Sequence, residues 1–421
     1  MRWQIMYNKP TAKNMTSQKT IAIIGAGASG LMCADYLCQF DVNIHVYEQL
    51  PTAGRKILWA GKTGLNISHN EALDDFINRY SHSWLGDFVK LYDATWLQNW
   101  AKNLGIDTFV GSSGRIFPTM MKASPLLRAW LKALEQDGVQ FFYRHKCVNL
   151  DKNTLTFQHK NQSFNQNFDA IILACGGLSY PKLGSTGEWQ NWLGADNIEP
   201  MYASNVGICR DWSKFIEPFF GQALKRVNAW VKNEEQKHRG DIIITKYGFE
   251  SGLIYKFNRD LRDNFYANDD KIMCLHLDLL PDISYDKILQ IFSKNKKLSL
   301  NTRLQKLGLD KAKIAILREF TAKSDWQDDK KIAQFIKYLT VEFNDFRPIN
   351  EAISSGGGVK SSAFVNHFQL KTNLSVFCTG EMMDWDALTG GYLLTACFAL
   401  GRGCGESVVN KLHLNKKTSA M

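Results

Sequence analysis

The sequence predicts an α/β protein: a Rossmann-like dinucleotide-binding domain built from both chain ends, with an inserted β-barrel-like domain that carries a small helical part. Three observations predict this fold. A strand, a glycine-rich turn, a helix and a second strand follow one another over residues 20–48, and α/β character returns near residue 376. Between about 200 and 345, separated β runs give way to helical stretches, which is typical of an inserted domain.

These changes of pattern set the expected domain boundaries. We expect four segments, in chain order: a loose polar leader at 1–19, a first part of the dinucleotide-binding domain at 20–199, the inserted domain at 200–345 and a second part of the dinucleotide-binding domain at 346–412. Within the insertion, residues 200–280 are expected to be β-rich and residues 281–345 helical, with the last helix over 329–343.

The first strong element is a dinucleotide-binding unit. The apolar run Thr20–Ile24 predicts a buried strand, and it leads into Gly-Ala-Gly-Ala-Ser-Gly at 25–30 and then a helix. The first glycine permits a tight turn, the second lets the backbone approach a pyrophosphate, and the third lets helix and sheet pack closely. The second strand ends in Glu48, whose carboxylate is expected to bind the adenosine ribose. Because it repels a 2′-phosphate, NADP is disfavoured here.

The C-terminal segment favours FAD over NAD as the bound dinucleotide. A short strand is followed by Glu381, then by the pair Gly390-Gly391 and an apolar helix from about Tyr392. An extended FAD needs such a second anchor, because its ribityl chain needs an acceptor and its flavin N1–C2 edge becomes negative on reduction. We expect Glu381 to bind the ribityl chain and the backbone of residues 391–393 to face the flavin edge.

Composition excludes several classes of protein. The chain has 421 residues, of which 45% are hydrophobic and 22% charged, so it is not generally disordered. No uncharged apolar run reaches the ~20 residues that span a bilayer, and the first 19 residues lack the apolar stretch of a signal peptide. The nine cysteines form no CxxC pair and lie mostly in apolar stretches, as reduced core cysteines do. We therefore expect a cytoplasmic protein.

The net charge of +10 does not by itself identify a partner. The densest basic cluster, at Lys294, Lys296 and Lys297, is short and has Asp282 and Asp286 as sequence neighbours. Because net charge alone gives only non-specific attraction, solvated lysines are favoured over a nucleic-acid groove. We expect a small-molecule substrate, no nucleic acid and no membrane, and leave the oligomeric state open.

With both ends of the cofactor site identified, the chain resembles the aminoacetone-oxidase-type, BaiN-like family of FAD-dependent flavoproteins over nearly its whole length after residue 19. The motifs that carry the resemblance lie at 25–30, 54–56, 66–67, 175–181, 184–187, 245–255, 351–359 and 380–394. The resemblance implies a FAD domain made of both chain ends and interrupted by the insertion. Leu65 departs from the family, because many relatives carry a cysteine there, so a thiol beside the flavin is not expected at this position.

The resemblance also implies roles for residues outside the two glycine motifs. Gly54, Arg55 and Lys56 would lie by the adenosine and pyrophosphate, and Asn66 near the flavin. The complete set of residues expected to bind FAD is Gly25, Ala26, Gly27, Ala28, Ser29, Gly30, Glu48, Gly54, Arg55, Lys56, Asn66, Val148, Cys175, Gly176, Gly177, Gly380, Glu381, Asp384, Gly390, Gly391, Tyr392 and Leu393.

The expected activity is that of a FAD-dependent oxidoreductase that transfers hydride between a small organic substrate and flavin N5, in amine oxidation or ene reduction. The chain has no second GxGxxG unit, so NAD(P)H is expected only as a transient electron donor. Lys62 and Tyr392 are the candidate catalytic residues, although a solvated loop lysine and a structural aromatic explain them too. The scattered histidines predict no metal site.

Two other hypotheses stay open. A flavin-containing RNA-modifying or RNA-binding protein would use the positive charge and the inserted domain to hold RNA. A non-catalytic flavoprotein would use its cofactor only to stabilise the fold.

Overall fold

The computed structural model describes residues 18–231 and 237–417 of the chain. The leader predicted at 1–19 therefore lies outside the described residues, apart from Gln18 and Lys19. The strands of these ranges, in chain order, are β1 (Thr20–Ile24), β2 (Asn43–Glu48), β3 (Ser68–His69), β4 (Thr108–Val110), β5 (Arg115–Pro118), β6 (Gln140–Tyr143), β7 (Lys146–Asp151), β8 (Thr154–His159), β9 (Gln162–Asn167), β10 (Ala170–Leu173), β11 (Ile198–Ser204), β12 (Ile208–Cys209), β13 (Ala223–Val231), β14 (His238–Thr245), β15 (Gly248–Glu250), β16 (Met273–Asp278), β17 (Leu339–Phe343), β18 (Asp345–Phe346), β19 (Ser354–Val359) and β20 (Val376–Cys378).

The α-helices of the same ranges are α1 (Ala28–Leu37), α2 (Arg55–Ala60), α3 (Leu73–Ile77), α4 (Trp84–Leu91), α5 (Ala94–Asn103), α6 (Ala123–Gln136), α7 (Gln190–Leu193), α8 (Gly252–Lys256), α9 (Asn258–Ala267), α10 (Tyr285–Lys294), α11 (Leu300–Lys306), α12 (Lys311–Glu319), α13 (Asp329–Lys337) and α14 (Tyr392–Leu412).

Five parallel strands form the sheet of the first domain, in the order β20-β10-β1-β2-β6. The two central strands β1 and β10 are almost wholly apolar, as is typical of parallel strands covered on both faces; Ile21, Ala22 and Ile23 of β1 are fully buried. β20 comes from the far end of the chain and pairs with β10. The prediction of a Rossmann-like domain built from both chain ends is therefore confirmed.

α1 and α14, which come from opposite ends of the chain, pack closely against each other. A Cβ atom added to Gly401 of α14 would lie 2.5 Å from the carbonyl oxygen of Ser29 in α1, so only glycine fits there. Nearby, Arg402 donates a 3.0 Å hydrogen bond to the carboxylate of Asp35. The indole of Trp130 donates to the same carboxylate at 2.9 Å. These contacts hold α14 at a fixed position along α1.

The inserted domain is a closed antiparallel sheet with helices attached. Its seven strands follow the order β17-β16-β13-β14-β15-β12-β18. β17 and β18 are separated only by Asn344, yet they pair with opposite edges of the sheet, at β16 and β12. One stretch of chain thus closes the sheet into a barrel, as predicted. The apolar core of this domain is separate from the core of the first domain.

The predicted helix over 329–343 is wrong in its second half. α13 ends at Lys337, and β17 follows at once. Leu339, Val341 and Phe343 are buried in β17. This period of two, with β-branched Thr340 between buried positions, is typical of a strand and not of a helix. The helical part of the insertion therefore ends before residue 339, and the last strands return to the barrel.

Side chains of the insertion anchor it to the C-terminal segment of the first domain. The two connecting segments run side by side as β11 and β19. Within the insertion, Asn258 of α9 accepts a 2.6 Å hydrogen bond from the N–H of Val206 and donates one of 3.0 Å to its carbonyl, which holds α9 beside the end of the connecting segment β11. One turn further along α9, the guanidinium of Arg262 lies 3.7 Å from the buried carboxylate of Asp386. The position of the insertion over the first domain is thus fixed by buried polar contacts.

Within residues 18–231 and 237–417, no helix combines the length and the apolar character needed to cross a membrane. The same ranges bring together no group of three or more His, Cys, Asp or Glu side chains that could hold a metal ion.

Substitution of Gly401 by valine tests the packing of α1 on α14. We expect Gly401→Val to lower the free energy of unfolding by about 2 kcal/mol, because the new side chain must push the helices apart. Asn410→Val introduces the same residue at an exposed position of the same helix and should cost much less. Urea unfolding measures both variants, and equal losses would contradict the close packing.

Candidate cofactor and active site

A cavity of about 590 Å³ lies where the two domains meet. Its wall includes the start of α1 and the end of β2 from the first domain, the loop before α14, and Gly252 and Tyr255 of α8 in the insertion. Of the residues predicted to bind FAD, those that line it are Gly25, Ala26, Gly27, Ala28, Ser29, Glu48, Arg55, Lys56, Asn66, Cys175, Gly176, Glu381, Gly390, Gly391 and Leu393.

The glycine-rich turn leaves space where a ligand is expected to approach. A Cβ atom added to Gly27 would meet nothing within 4 Å, so the backbone there is open to the cavity. A Cβ atom on Gly30 would lie 2.0 Å from the carbonyl oxygen of Gly25, so Gly30 serves the turn and does not line the cavity. Gly25 has φ +107°, which favours glycine. Gly25 and Gly30 are thus required by the close packing of the turn, and the approach of a pyrophosphate to Gly27 stays a prediction.

Glu48 contributes a half-buried carboxylate to the cavity wall. Its two oxygens accept hydrogen bonds from the N–H of Ala26 at 3.1 Å and of Leu50 at 2.8 Å. Burial raises the pKa of Glu48 above its ordinary value, although these donors act in the opposite direction. The carboxylate therefore ties the end of β2 to the glycine-rich turn.

The start of α14 gives the cavity a second helix N-terminus. Gly391 is the N-cap, with φ +101°, and its α-carbon packs so closely on Ser68 that a Cβ would lie 2.6 Å from the Ser68 Cα. Neither α14 nor α1 has a side-chain N-cap or an acidic residue in its first turn. Their first N–H groups are therefore available to a ligand, and the helix dipoles favour negative charge beside them.

Glu381 is held by a lysine from the other end of the chain. The Nζ atom of Lys56 lies 2.6 Å from one carboxylate oxygen of Glu381, and it also donates to Ser179 at 2.8 Å. The other oxygen accepts from the N–H of Ser355 at 3.1 Å. Lys56 was expected near adenosine and pyrophosphate, and the structure instead pairs it with the residue expected to bind the ribityl chain.

Two buried oxygen atoms in the cavity wall have no protein partner among the described residues. They are Oδ1 of Asn66 and Oγ1 of Thr379. An unpaired buried oxygen costs stability unless a ligand or water pairs with it. Together with the open backbone at Gly27, these atoms fit a polar ligand such as a dinucleotide. Thr379 was missed by the sequence analysis, although it lies next to the predicted Gly380-Glu381 pair.

Several residues predicted to bind the cofactor do not line the cavity; these are Gly30, Gly54, Val148, Gly177, Gly380, Asp384 and Tyr392. The glycines among them serve close packing: a Cβ on Gly380 would lie 2.3 Å from Oγ of Ser29. Val148 lies at a bulge between Cys147 and Asn149, where the β7–β8 register shifts. Its neighbour Cys147 lines the cavity instead.

Asp384 neither lines the cavity nor caps α14. Its carboxylate lies 3.7 Å from Nε2 of His82, and its N–H bonds to the carbonyl of Val359 at 2.9 Å. Burial raises the pKa of Asp384. α14 begins eight residues later at Tyr392, so an irregular loop separates Asp384 from the helix N-terminus at the cavity.

The two candidate catalytic residues, Tyr392 and Lys62, do not line the cavity. The hydroxyl of Tyr392 donates to Glu71 at 2.5 Å, and its ring stacks against His69 at 5.8 Å. Burial and this hydrogen bond raise the pKa of Tyr392, so it holds its proton. Lys62 is exposed, with its Nζ 5.0 Å from the ring centroid of Trp59. Both have local structural roles outside the cavity lining.

The three cavity thiols are protonated. Burial raises the pKa of Cys147 and of Cys397 to about 12, and that of Cys175 well above its ordinary value. Since the thiolate is the nucleophile, none of these cysteines is suited to attack a substrate.

Arg115 and Tyr255 are cavity residues that the sequence analysis missed. Arg115 begins β5, opposite His69 of β3, and Tyr255 belongs to α8 of the insertion. Tyr255 lies in the family motif at 245–255, which was a usable signal. Arg115 follows a glycine turn with no motif around it, and only the fold brings it to the cavity.

Positive charge is concentrated beside Arg115. Partial burial and the charges of Arg79 and Arg115 lower the pKa of Lys256, which follows Tyr255 on α8. Arg79 is neutralised by Glu71, with 2.7 Å between Nη2 and Oε2. Arg115 has no ion pair or side-chain hydrogen bond within the described ranges.

The fold and the cavity define a Rossmann-like dinucleotide-binding protein. More particularly, the chain belongs to the HI0933-like protein Rossmann domain family, whose model matches residues 19–407. The family resemblance predicted from the motifs is confirmed.

Two curated relatives match over nearly their whole lengths. A 3-dehydro-bile acid delta(4,6)-reductase from Clostridium scindens is 23% identical over 416 residues, which cover 93% of this chain and 99% of the relative. A ribosomal RNA dihydrouridine synthase from Haemophilus influenzae is 23% identical over 413 residues, 92% of this chain and 97% of the relative. Among solved structures, a flavocytochrome c3 fumarate reductase in an open conformation superposes with a TM-score of 0.50 at 11% identity, over 94% of this chain and 79% of that chain. This last likeness concerns the fold alone.

Proposed function

We propose that this protein is a FAD-dependent oxidoreductase that reduces a carbon–carbon double bond conjugated to a carbonyl group. The observation that carries the proposal is the cavity onto which the uncapped N-termini of α1 and α14 both open, with Glu48 and Glu381 in its wall. Two helix N-termini and two carboxylates fit a dinucleotide that has a pyrophosphate, a ribose, a ribityl chain and a redox ring.

In this proposal each end of the chain holds one part of the cofactor. The turn at Gly25–Gly30 and the start of α1 bind the pyrophosphate, and Glu48 binds the adenosine ribose. Glu381, positioned by Lys56, accepts hydrogen bonds from the ribityl hydroxyls. The N–H groups at the start of α14 face the flavin edge that becomes negative on reduction. When bound, FAD supplies two-electron hydride chemistry. The chain binds and orients the cofactor and the substrate, and it excludes water from them.

The proposal assigns residues 20–199 and 346–412 to cofactor binding and the insertion to substrate binding. α8 supports this division, because it brings Gly252 and Tyr255 of the insertion into the cavity wall. Pockets between domains are common substrate sites.

The two curated relatives favour ene reduction over amine oxidation. One is named a delta(4,6)-reductase of a 3-dehydro-bile acid. The other is named a dihydrouridine synthase, and dihydrouridine is uridine that has gained two hydrogens across a ring double bond conjugated to a carbonyl. A reduced nicotinamide dinucleotide is the proposed source of electrons.

Exchange of Glu48 for arginine tests the ribose contact. We expect Glu48→Arg to purify with less than a tenth of the FAD that the unmodified protein holds, because it loses the acceptor and fills the space with a long side chain. Glu406→Arg makes the same change at an exposed site of α14 and should retain FAD. Flavin absorbance per protein chain is the measurement. Stoichiometric FAD in Glu48→Arg would count against this assignment.

Reoxidation of the reduced protein tests the reaction class. After anaerobic reduction with NADH or dithionite, we expect the oxidised flavin spectrum to return on addition of 2-cyclohexen-1-one or a 4-en-3-one steroid. Aminoacetone added to the oxidised protein should leave its spectrum unchanged. Bleaching by the amine together with no reoxidation by either enone would replace ene reduction by amine oxidation.

RNA is a second candidate substrate, favoured by one group of side chains at the cavity. Trp59 lines the cavity with 46% of its surface exposed, and its ring lies 5.6 Å from that of Tyr180 and beneath the ammonium of Lys62. Exposed aromatic rings next to cations stack unpaired bases. The net charge of +10 and the RNA-modifying relative agree with this candidate.

The RNA candidate predicts salt-sensitive binding that depends on Trp59. We expect the protein to bind a uridine-containing single-stranded RNA at 50 mM salt, more weakly at 200 mM, and at least tenfold more weakly as Trp59→Ala. In the reduced protein, the RNA should gain 2 Da per modified uridine. Absence of RNA binding at low salt would leave a small-molecule substrate.

A further inference from the structure

We infer that Arg115 and Tyr255, which face the cavity from opposite domains, form the substrate-activating pair: Arg115 holds the carbonyl oxygen of the substrate, and Tyr255 donates a proton to the carbon next to that carbonyl. This inference rests on the proposed reduction and adds the two residues that act on the substrate.

Arg115 is the cavity cation that is free to bind a substrate. The other cations of the lining have protein partners: Lys56 pairs with Glu381 at 2.6 Å and Lys146 with Glu188 at 2.8 Å, while Arg55 donates to Thr52 at 3.4 Å. The guanidinium of Arg115 has no such partner in the described part of the chain. A guanidinium presents several donors and stays charged at any working pH.

The position of Arg115 places it at the end of the cavity formed by the α14 N-terminus. Arg115 is the register partner of His69. The preceding residue of β3, Ser68, packs directly on Gly391, the N-cap of α14. The charge on Arg115 therefore adds to the positive end of the helix dipole. A substrate oxygen that becomes negative during reduction is stabilised there.

The charges around Arg115 also favour a negative oxygen at this site. Glu71, an acidic side chain of this region, is already paired with Arg79 and with the hydroxyl of Tyr392. Lys256 lies close enough to Arg115 for the two charges to repel, which contributes to the lowered pKa of Lys256. An anionic oxygen relieves this repulsion, so the site prefers the negative form of a bound ligand.

Tyr255 reaches the cavity from α8, next to Lys256. Burial and the charge of Glu250 raise the pKa of Tyr255 to about 12. The phenol is therefore protonated at neutral pH, as a proton donor must be. No protein acceptor is bonded to its hydroxyl in the described ranges, unlike that of Tyr47, which donates to Gln166 at 2.9 Å.

The reaction balances with these two residues and the proposed reductant. Hydride adds to the β carbon of the double bond, and the π electron pair moves to form an enolate whose negative oxygen is held by Arg115. The enolate takes a proton at its α carbon from the Tyr255 hydroxyl, and water returns a proton to the phenolate. The substrate gains one hydride and one proton; the nicotinamide dinucleotide is oxidised.

The Arg115 assignment is tested without turnover by titrating the oxidised holoprotein with 4-chlorophenol. A bound phenolate resembles the enolate and gives a long-wavelength absorbance band with an oxidised flavin. We expect Arg115→Met to bind it at least tenfold more weakly than the unmodified protein, and Arg115→Lys to recover part of the affinity. Lys122→Met removes an exposed cation seven residues along the chain and outside the cavity lining, and should bind normally. Equal affinity in Arg115→Met and the unmodified protein would overturn the assignment.

The Tyr255 assignment is tested by the reoxidation of the reduced protein with 2-cyclohexen-1-one. We expect Tyr255→Phe to keep its FAD and its rate of reduction by NADH, and to reoxidise at least a hundredfold more slowly. Tyr247→Phe makes the same change on the same domain outside the cavity and should behave normally. Reoxidation of Tyr255→Phe at the unmodified rate would overturn the donor role.

Failure of the proposed reduction and failure of the Arg115 assignment can be told apart. If the unmodified protein binds 4-chlorophenol but no conjugated carbonyl reoxidises it, the proposed reduction falls, and the phenolate titration still decides whether Arg115 is the anion-binding residue.

Discussion

The close packing of α1 on α14 is the constraint on which the rest of the cofactor site depends. The two helices come from opposite ends of the chain, and Gly401 lets the backbone of α14 approach the carbonyl of Ser29. The bond from Arg402 to Asp35 fixes the helices along their axes. Because each helix begins at the cavity, this packing brings two N-termini to one space. The parallel sheet, which contains both β1 and β20, also holds the same two chain ends together.

Electrostatics follow from this geometry. Two helix N-termini and several cations make the cavity favourable to negative charge. Its carboxylates are each held by donors, Glu48 by the backbone of the glycine-rich turn and Glu381 by Lys56. Arg115 differs from the other lining cations because its charge has no partner among the described residues. The cavity thus combines a site suited to an anionic dinucleotide with a free cation beside it, an arrangement that fits the proposed hydride transfer because the cation can stabilise a substrate oxygen that becomes negative.

The sequence predicts the parts of this structure that depend on local chemistry. A glycine triplet between a strand and a helix predicts the glycine-rich turn, because the backbone conformation and packing of such a turn leave little room for side chains. The predicted α/β fold built from both chain ends is confirmed as well. Contacts between distant segments are different. The pairing of Lys56 with Glu381 joins residues 325 positions apart, and nothing local to either one distinguishes it. Arg115 reaches the cavity only because β5 pairs with β3.

Sequence reasoning alone does not choose between two roles that one residue could play. Tyr392 and Lys62 stand beside motif positions, but their side chains turn to Glu71 and Trp59. The residues after Lys337 follow a helix, and the sequence predicted that they extend it. They form a strand instead, because their pairing in the barrel outweighs the local preference for a helix.

If the two chain ends form one FAD site, the purified protein carries FAD, and its visible absorption spectrum shows this once the released cofactor is identified by mass. We expect flavin absorption bands, a mass equal to that of FAD, and about one FAD per chain. A colourless protein that remains colourless after incubation with FAD would contradict a shared FAD site.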